Sequence, residues 1–275
     1  MQNVLSPVLL LLVTSSLCLG SAGAQSTYYL ALGDSLAIGI QPSPHGNVPT
    51  NQGYADDLYR VFRAHIPGLR FMKLGCSGET TTTMLQGGSC SYSSGSQLAQ
   101  AVAFIETHRV SFITLDIGAN DIDHCISISG IDAGCVQAAS LTLATNLPKI
   151  LAALRAAGGS TAIIAMNYYD PFLAAWTLVP SGQTLAESTV QATDAFNQLL
   201  EGVYGAFSIP VADVAQTFQI NNFTLIPFIN LPVNVFITLT WTWMGAPPPL
   251  GPDVHPNAIG YLAIAGAFAG KIAAK

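Results

Sequence analysis

The stretch Tyr28-Tyr29-Leu30-Ala31-Leu32-Gly33-Asp34-Ser35-Leu36 decides the fold: a short apolar run, a glycine, then a polar turn. An unbroken apolar run of this length reads as a strand buried on both faces, and the glycine ends it. The same grammar recurs along the chain. Residues 69–74 alternate and stop at Gly75, and residues 111–117 stop at Gly118. Residues 161–166 and 209–214 complete the set. Helical patterns fall between them, over 54–66, over 97–107, and around Phe196, Leu199, Leu200 and Val203. Leu143, Leu147, Ile150, Leu151 and Leu154 form a further helical stripe closed by Gly158, and a last helix begins near Ala258. Pro148 lies inside that stripe, where it should kink or split the helix. Residues 37–53, rich in Gly, Pro and Asn, read as loop. Strands alternating with helices five times imply an α/β fold: a five-stranded parallel sheet with helices on both faces.

Composition narrows the function classes. The chain has 275 residues, of which half are apolar and only 9% charged, against a usual quarter. Such a chain must bury a core, which excludes disorder as a description of the whole. The formal net charge is −6, and the nine Lys and Arg residues are scattered singly. Without a basic stripe, nucleic acid is not an expected partner.

The first 24 residues read as a secretory signal. An apolar run from Val8 to about Leu19 precedes Ala22-Gly23-Ala24, an A-x-A cleavage signal, although no Lys or Arg stands before it. Cleavage there leaves residues 25–275 as one domain of ordinary size and removes Cys18. Cys76, Cys90, Cys125 and Cys135 remain, an even set in an exported chain and so candidates for disulfides. Proximity favours Cys76–Cys90 and Cys125–Cys135. No C-x-x-C pair or His–Cys cluster suggests a metal site.

One segment breaks the alternation. From Phe218 to Pro252 no residue is charged, aromatic residues are frequent, and prolines forbid a single long helix. The segment reads as an insertion packed on its own domain, as the apolar wall or lid of a cleft, or as a lipid-contacting surface. Phe236, Trp241 and Trp243 are its candidate substrate-binding residues.

In a sheet of this kind ligands sit at the carboxyl ends of the strands. Gly33-Asp34-Ser35-Leu36 follows the first strand, Gly75-Cys76-Ser77-Gly78-Glu79-Thr80 the second and Gly118-Ala119-Asn120-Asp121 the third. Asp253-Val254-His255-Pro256-Asn257 precedes the last helix. These are the parts of a serine hydrolase. A serine hydroxyl needs a base to take its proton, which makes Ser35 the candidate nucleophile and His255 the base. The N–H groups of Ser35 and Gly78 and the Asn120 amide are candidate oxyanion donors. Asp34 and Asp121 read as loop and cap residues, and Glu79 as a solvated or helix-start residue. His45, His65, His108 and His124 have no motif. Asn222-Phe223-Thr224 matches a glycosylation sequon.

Taken in order, the Gly33–Leu36 block, Gly78, Asn120 and His255-Pro256-Asn257 resemble the GDSL/SGNH hydrolase family across essentially the whole mature chain. The resemblance implies a flavodoxin-like sheet of order 2-1-3-4-5 and esterase, lipase, thioesterase or deacetylase activity without a cofactor. One position departs: the family's aspartate stands three residues before the histidine, where this chain has Pro252. Asp253, two before, is the candidate to orient the imidazole, with a backbone carbonyl near Gly251 or Pro252 as the alternative.

The expected protein is therefore a secreted serine ester hydrolase acting on apolar acyl esters. Deacetylation of polysaccharide and a non-catalytic binding or adhesion role on the same scaffold are the alternatives. The expected partners are a lipid-like ester substrate and a transiently contacted lipid surface.

Overall fold

Five parallel strands form the centre of the computed structural model, which describes residues 26–127, 129–177 and 181–273. The expected leader over residues 1–24 lies outside the described residues. The strands are β1 (Thr27–Gly33), β2 (Leu69–Lys73), β3 (Val110–Asp116), β4 (Ala162–Met166) and β5 (Val211–Ala212). Their order is β2-β1-β3-β4-β5, the flavodoxin-like arrangement. Tyr29, Leu30, Ala31 and Leu32 are fully buried, as a central strand covered on both faces requires. β5 is only two residues long, far less than its apolar run suggests. At the sheet edge it pairs with β4 alone, through Val211 and Ala212.

Six longer helices cover the sheet: α1 (Tyr54–Phe62), α2 (Gln97–Thr107), α3 (Ala133–Gly158), α4 (Gly182–Ala206), α5 (Val233–Trp241) and α6 (Ala258–Ile272). α1 packs on α6 as one layer, with the Tyr54 and Phe268 rings stacked at 4.8 Å. α3 packs against both α2 and α4 as the other. No helix among the described residues is long and apolar enough to cross a membrane.

Two local expectations are corrected. Pro148 does not split α3, which runs unbroken for 26 residues. A proline inside a helix costs about 3 kcal/mol. Leu143, Leu147, Ile150, Leu151 and Leu154 are all fully buried along one stripe, and each contributes roughly 1.5–3 kcal/mol. Tertiary burial therefore outweighs the lost backbone bond. The 37–53 stretch is not all loop: Ile40–Ser43 and Gly46–Pro49 pair as an antiparallel hairpin.

The chain order leaves a crevice where it matters. β1 leads outward to β2, and the chain then returns across β1 to β3. The crevice between the carboxyl ends of β1 and β3 is the topological switch point, where open α/β sheets bind ligands.

Candidate active site

Ser35 emerges from β1 into a single helical turn, Ser35–Ile38. Gly33 makes the turn possible: its φ is 136°, and a Cβ there would run into the Asp116 carbonyl. Asp34 caps the turn by accepting from the Leu36 N–H at 2.9 Å. Asp116, at the end of β3, closes it from below. Its Oδ2 accepts the Asp34 N–H at 3.1 Å and the Ala37 N–H at 3.2 Å, one on each side of Ser35. Tyr54 donates to the other oxygen of the same carboxyl. Burial pushes the Asp34 carboxyl up to about 6, against the pull of the Leu36 N–H and the Asp116 side chain. Burial and then the Asp34 charge push Asp116 up as well.

His255, the candidate base, stands across the crevice. His255 Nδ1 is 2.7 Å from Asp253 Oδ1, and the same oxygen accepts the His255 N–H at 2.9 Å. Asn47, on the 40–49 hairpin, donates to Asp253 Oδ2 at 2.7 Å. Burial raises the Asp253 carboxyl, but the bonds from the His255 ring, Asn47 and the His255 N–H together hold it below its ordinary value. The displaced aspartate thus reaches the imidazole with its carboxylate.

Gly78 has φ 75°, and a Cβ there would meet nothing within 4 Å. The left-handed backbone, not a crowded neighbour, is what asks for glycine. Neither the Ser35 nor the Gly78 N–H is bonded to a protein acceptor among the described residues. Asn120 sits in the turn after β3 and donates one Nδ2 proton to the Glu79 carbonyl at 3.0 Å. That bond ties Asn120 to the loop carrying Gly78 and leaves its second proton for a ligand. The Asp121 carboxylate accepts from the Thr81 N–H at 2.8 Å and the Thr81 hydroxyl at 2.6 Å, joining the same two segments.

Glu79 is buried at 1% exposure, so the solvated reading is corrected. Its Oε2 accepts from Gln97 Nε2 at 2.9 Å. Gln97 also brackets Gly33, accepting its N–H at 2.7 Å and donating to its carbonyl at 2.9 Å. This buried amide locks the Gly78 loop to β1, which leads into Ser35. Burial raises the Glu79 carboxyl, with the Thr83 and Gln97 bonds opposing it.

Ser35, Gly78, Asn120 and His255 line one pocket of about 220 Å³. Its remaining wall is mostly apolar: Ile122 and Ile126 beyond Asn120, Tyr168, Tyr169, Pro171 and Phe172 after β4, and Ala192 and Phe196 of α4. Phe236, Trp241 and Trp243 do not line it. Phe236 lies on the surface of α5. Trp241 packs its ring against buried Phe218 at 5.3 Å and accepts the Asn257 N–H through its carbonyl. Trp243 bonds the His255 carbonyl through its N–H at 3.0 Å, and its Nε1 donates to Gln41 at 2.6 Å. These tryptophans hold the backbone of the histidine loop and do not line the crevice.

Both disulfides join the near neighbours, Cys76 to Cys90 and Cys125 to Cys135. His124 Nε2 lies 3.4 Å from Cys135 Sγ. The sulfurs are bonded to each other, so this group offers no thiolate to a metal.

Sequence reasoning missed Asn47, Asp116, Gln97 and the Tyr168–Phe172 wall. The wall carried a signal: Asn167-Tyr168-Tyr169-Asp170-Pro171 is the turn after β4, at the same edge as the other site blocks. The other three act across long sequence separations and carry no local pattern.

A family model described as the GDSL-like lipase/acylhydrolase family matches residues 31–263. No curated protein matches the sequence. Among solved structures the chain is similar to an extracellular lipase from Streptomyces rimosus, at 19% identity and TM-score 0.58, covering 88% of this chain and 99% of that one. A phospholipase A1 from Streptomyces albidoflavus NA297 aligns at 19% identity and TM-score 0.56, over 88% and 99% of the two chains. An acetylxylan esterase from Geobacillus stearothermophilus aligns at 15% identity and TM-score 0.52, over 91% and 96%. At these identities the structural likeness establishes the fold.

Proposed function

Because the chain belongs to the GDSL-like lipase/acylhydrolase family, we propose that it is an exported serine carboxylic ester hydrolase working through an acyl-enzyme on apolar acyl esters. The observation that carries this reading is the single pocket shared by Ser35, Gly78, Asn120 and His255 within an apolar wall.

Ser35 Oγ attacks the ester carbonyl carbon while His255 Nε2 takes the hydroxyl proton. Asp253 accepts from Nδ1–H, which fixes the tautomer and stabilises the imidazolium. The N–H groups of Ser35 and Gly78 and the free Asn120 proton receive the developing oxyanion, each worth about 3–4 kcal/mol. The intermediate collapses as His255 returns the proton to the departing alkoxide. Water then enters and attacks the acyl carbon as His255 takes its proton, and His255 returns that proton to Ser35 Oγ as the acyl–Oγ bond breaks and the acid leaves. No step calls on a metal or an organic cofactor.

The pocket exceeds the roughly 150 Å³ of a cavity that holds benzene. Its volume suits a short or medium acyl chain, and its apolar wall favours lipid-like esters over an acetyl group. The Val8–Leu19 run with its A-x-A site, together with two disulfides, supports export from the cytosol.

Hydrolysis of p-nitrophenyl esters from acetate to palmitate, with Ser35→Ala in parallel, tests the reading. The expected result is turnover highest on short-to-medium chains and a variant reduced at least a thousandfold. Preference for acetate alone would move the substrate to acetylated polysaccharide. Turnover retained by Ser35→Ala would remove the acyl-enzyme.

A further inference from the structure

The uncharged insertion does not line the pocket, yet it exposes a tip that the hydrolytic mechanism does not use. After a helical turn, Val214–Thr217, the chain enters the segment from Phe218 to Pro252, which contains no Asp, Glu, Lys or Arg. Phe223, Leu231 and Val233 pack back onto the core. Between them, Leu225 is 55% exposed, Ile229 49%, and Phe228 106%, as free as a side chain in an extended peptide.

This tip is built. Ile226 donates to the Leu231 carbonyl at 2.9 Å, Val233 to Thr224 at 3.0 Å, and Asn230 to Ile226 at 3.1 Å. Phe228 and Asn230 take φ values of 68° and 57°, a left-handed backbone that a bulky aromatic rarely adopts. The loop thus holds a phenyl ring in water in an unfavourable backbone region, the kind of local conflict that points to use. Its base is tied to the pocket wall. The Phe223 ring lies 5.8 Å from that of Trp176, in the Pro171–Thr177 stretch whose first two residues line the pocket.

We propose that the Leu225–Ile229 tip docks the protein on an uncharged lipid–water interface. This deepens the lipid-ester reading and rests on it. The chemistry of the partner follows from charge and shape. A segment with no charge has nothing to pair with an ionic surface, and the net charge of −6 repels an anionic bilayer. Its three apolar side chains stand exposed together, and a fluid acyl layer accepts exposed apolar side chains without a preformed groove. Phe, Leu and Ile flanked by uncharged polar residues suit insertion at headgroup depth.

The experiment uses the full mature chain carrying Ser35→Ala, so that no lipid is consumed, with and without Phe228→Ser/Ile229→Ser. Sedimentation with phosphatidylcholine vesicles is read at 50 and 500 mM salt, beside light scattering of the free protein. The expected result is binding insensitive to salt, weakened about tenfold or more by the double substitution. In the Ser35 background, turnover of soluble p-nitrophenyl butyrate should stay within about twofold of the parent. Failure of the parent to bind phosphatidylcholine, or equal binding by the double variant, would overturn the proposal. So would a dimer that the double variant abolishes, since the tip would then be a self-association surface. If vesicles bind but no ester is hydrolysed, the docking surface stands and the hydrolase reading fails.

Discussion

Asp253 Oδ1 serves two groups of His255 at once, the ring Nδ1 and the backbone N–H, while Asn47 holds Oδ2. Asp253→Asn keeps the shape but removes the charge that stabilises the imidazolium. It should lower kcat by roughly 10²–10⁴ with KM little changed. A loss below about tenfold would assign the orienting role to a backbone carbonyl instead. The carboxyl sits below its ordinary value in the folded protein. Its stabilising contribution is therefore present above the ordinary carboxylate range and is lost as pH falls through the depressed value. Gly78 shows a different residue-scale constraint, in which φ alone fixes the residue type.

Each disulfide closes a short loop beside a proposed oxyanion donor. Cys76–Cys90 spans 14 residues and begins two positions before Gly78, and Cys125–Cys135 spans 10 and begins five after Asn120. Cross-links of this loop length contribute roughly 2–3 kcal/mol. If the braced elements carry the oxyanion donors as proposed, Cys76→Ser/Cys90→Ser should lower kcat at temperatures where circular dichroism still reports a folded chain. Full turnover by that variant, with its thiols absent, would leave the bridge a purely structural role. Element length makes a related point in α3, where buried leucines override a proline that local propensity treats as a break.

At the scale of the whole molecule, buried acids set the pH dependence of stability. Burial is the main cause that pushes Asp34 up to about 6 and Asp170 up to about 7. Their folded values lie above the ordinary range, so their stabilising contribution is full below about pH 4 and is lost as pH rises through 6 to 7. Asp170 is fully buried, with Oδ1 accepting the Phe172 N–H at 2.8 Å and Oδ2 without a hydrogen-bond partner among the described residues. Asp170→Asn should raise stability at pH 8 by roughly 1–3 kcal/mol and leave it nearly unchanged at pH 4. Urea unfolding at the two pH values checks this, and an equal change at both would rule out ionisation as the cause.

The sequence by itself determined the alternation of β1 to β5 with helices, and hence a parallel sheet with its turns gathered at one edge. It also determined that Ser35, Gly78 and Asn120 follow those turns, because a strand end and a glycine turn are written in adjacent residues, and that His255 stands just before the last helix. Whether Asp253 could reach the imidazole was a tertiary matter, decided by Asn47 and by the pairing of Trp243 with His255. So was the identity of the pocket wall. Apolar composition drew attention to Phe236, Trp241 and Trp243, but burial is satisfied equally well behind the histidine loop as in front of it. The wall fell to Tyr168–Phe172 and α4, because that choice depends on how segments far apart in the chain pack. Glu79, a polar residue in a glycine-rich loop, is buried for the same reason: Gln97 waits for it 18 residues away.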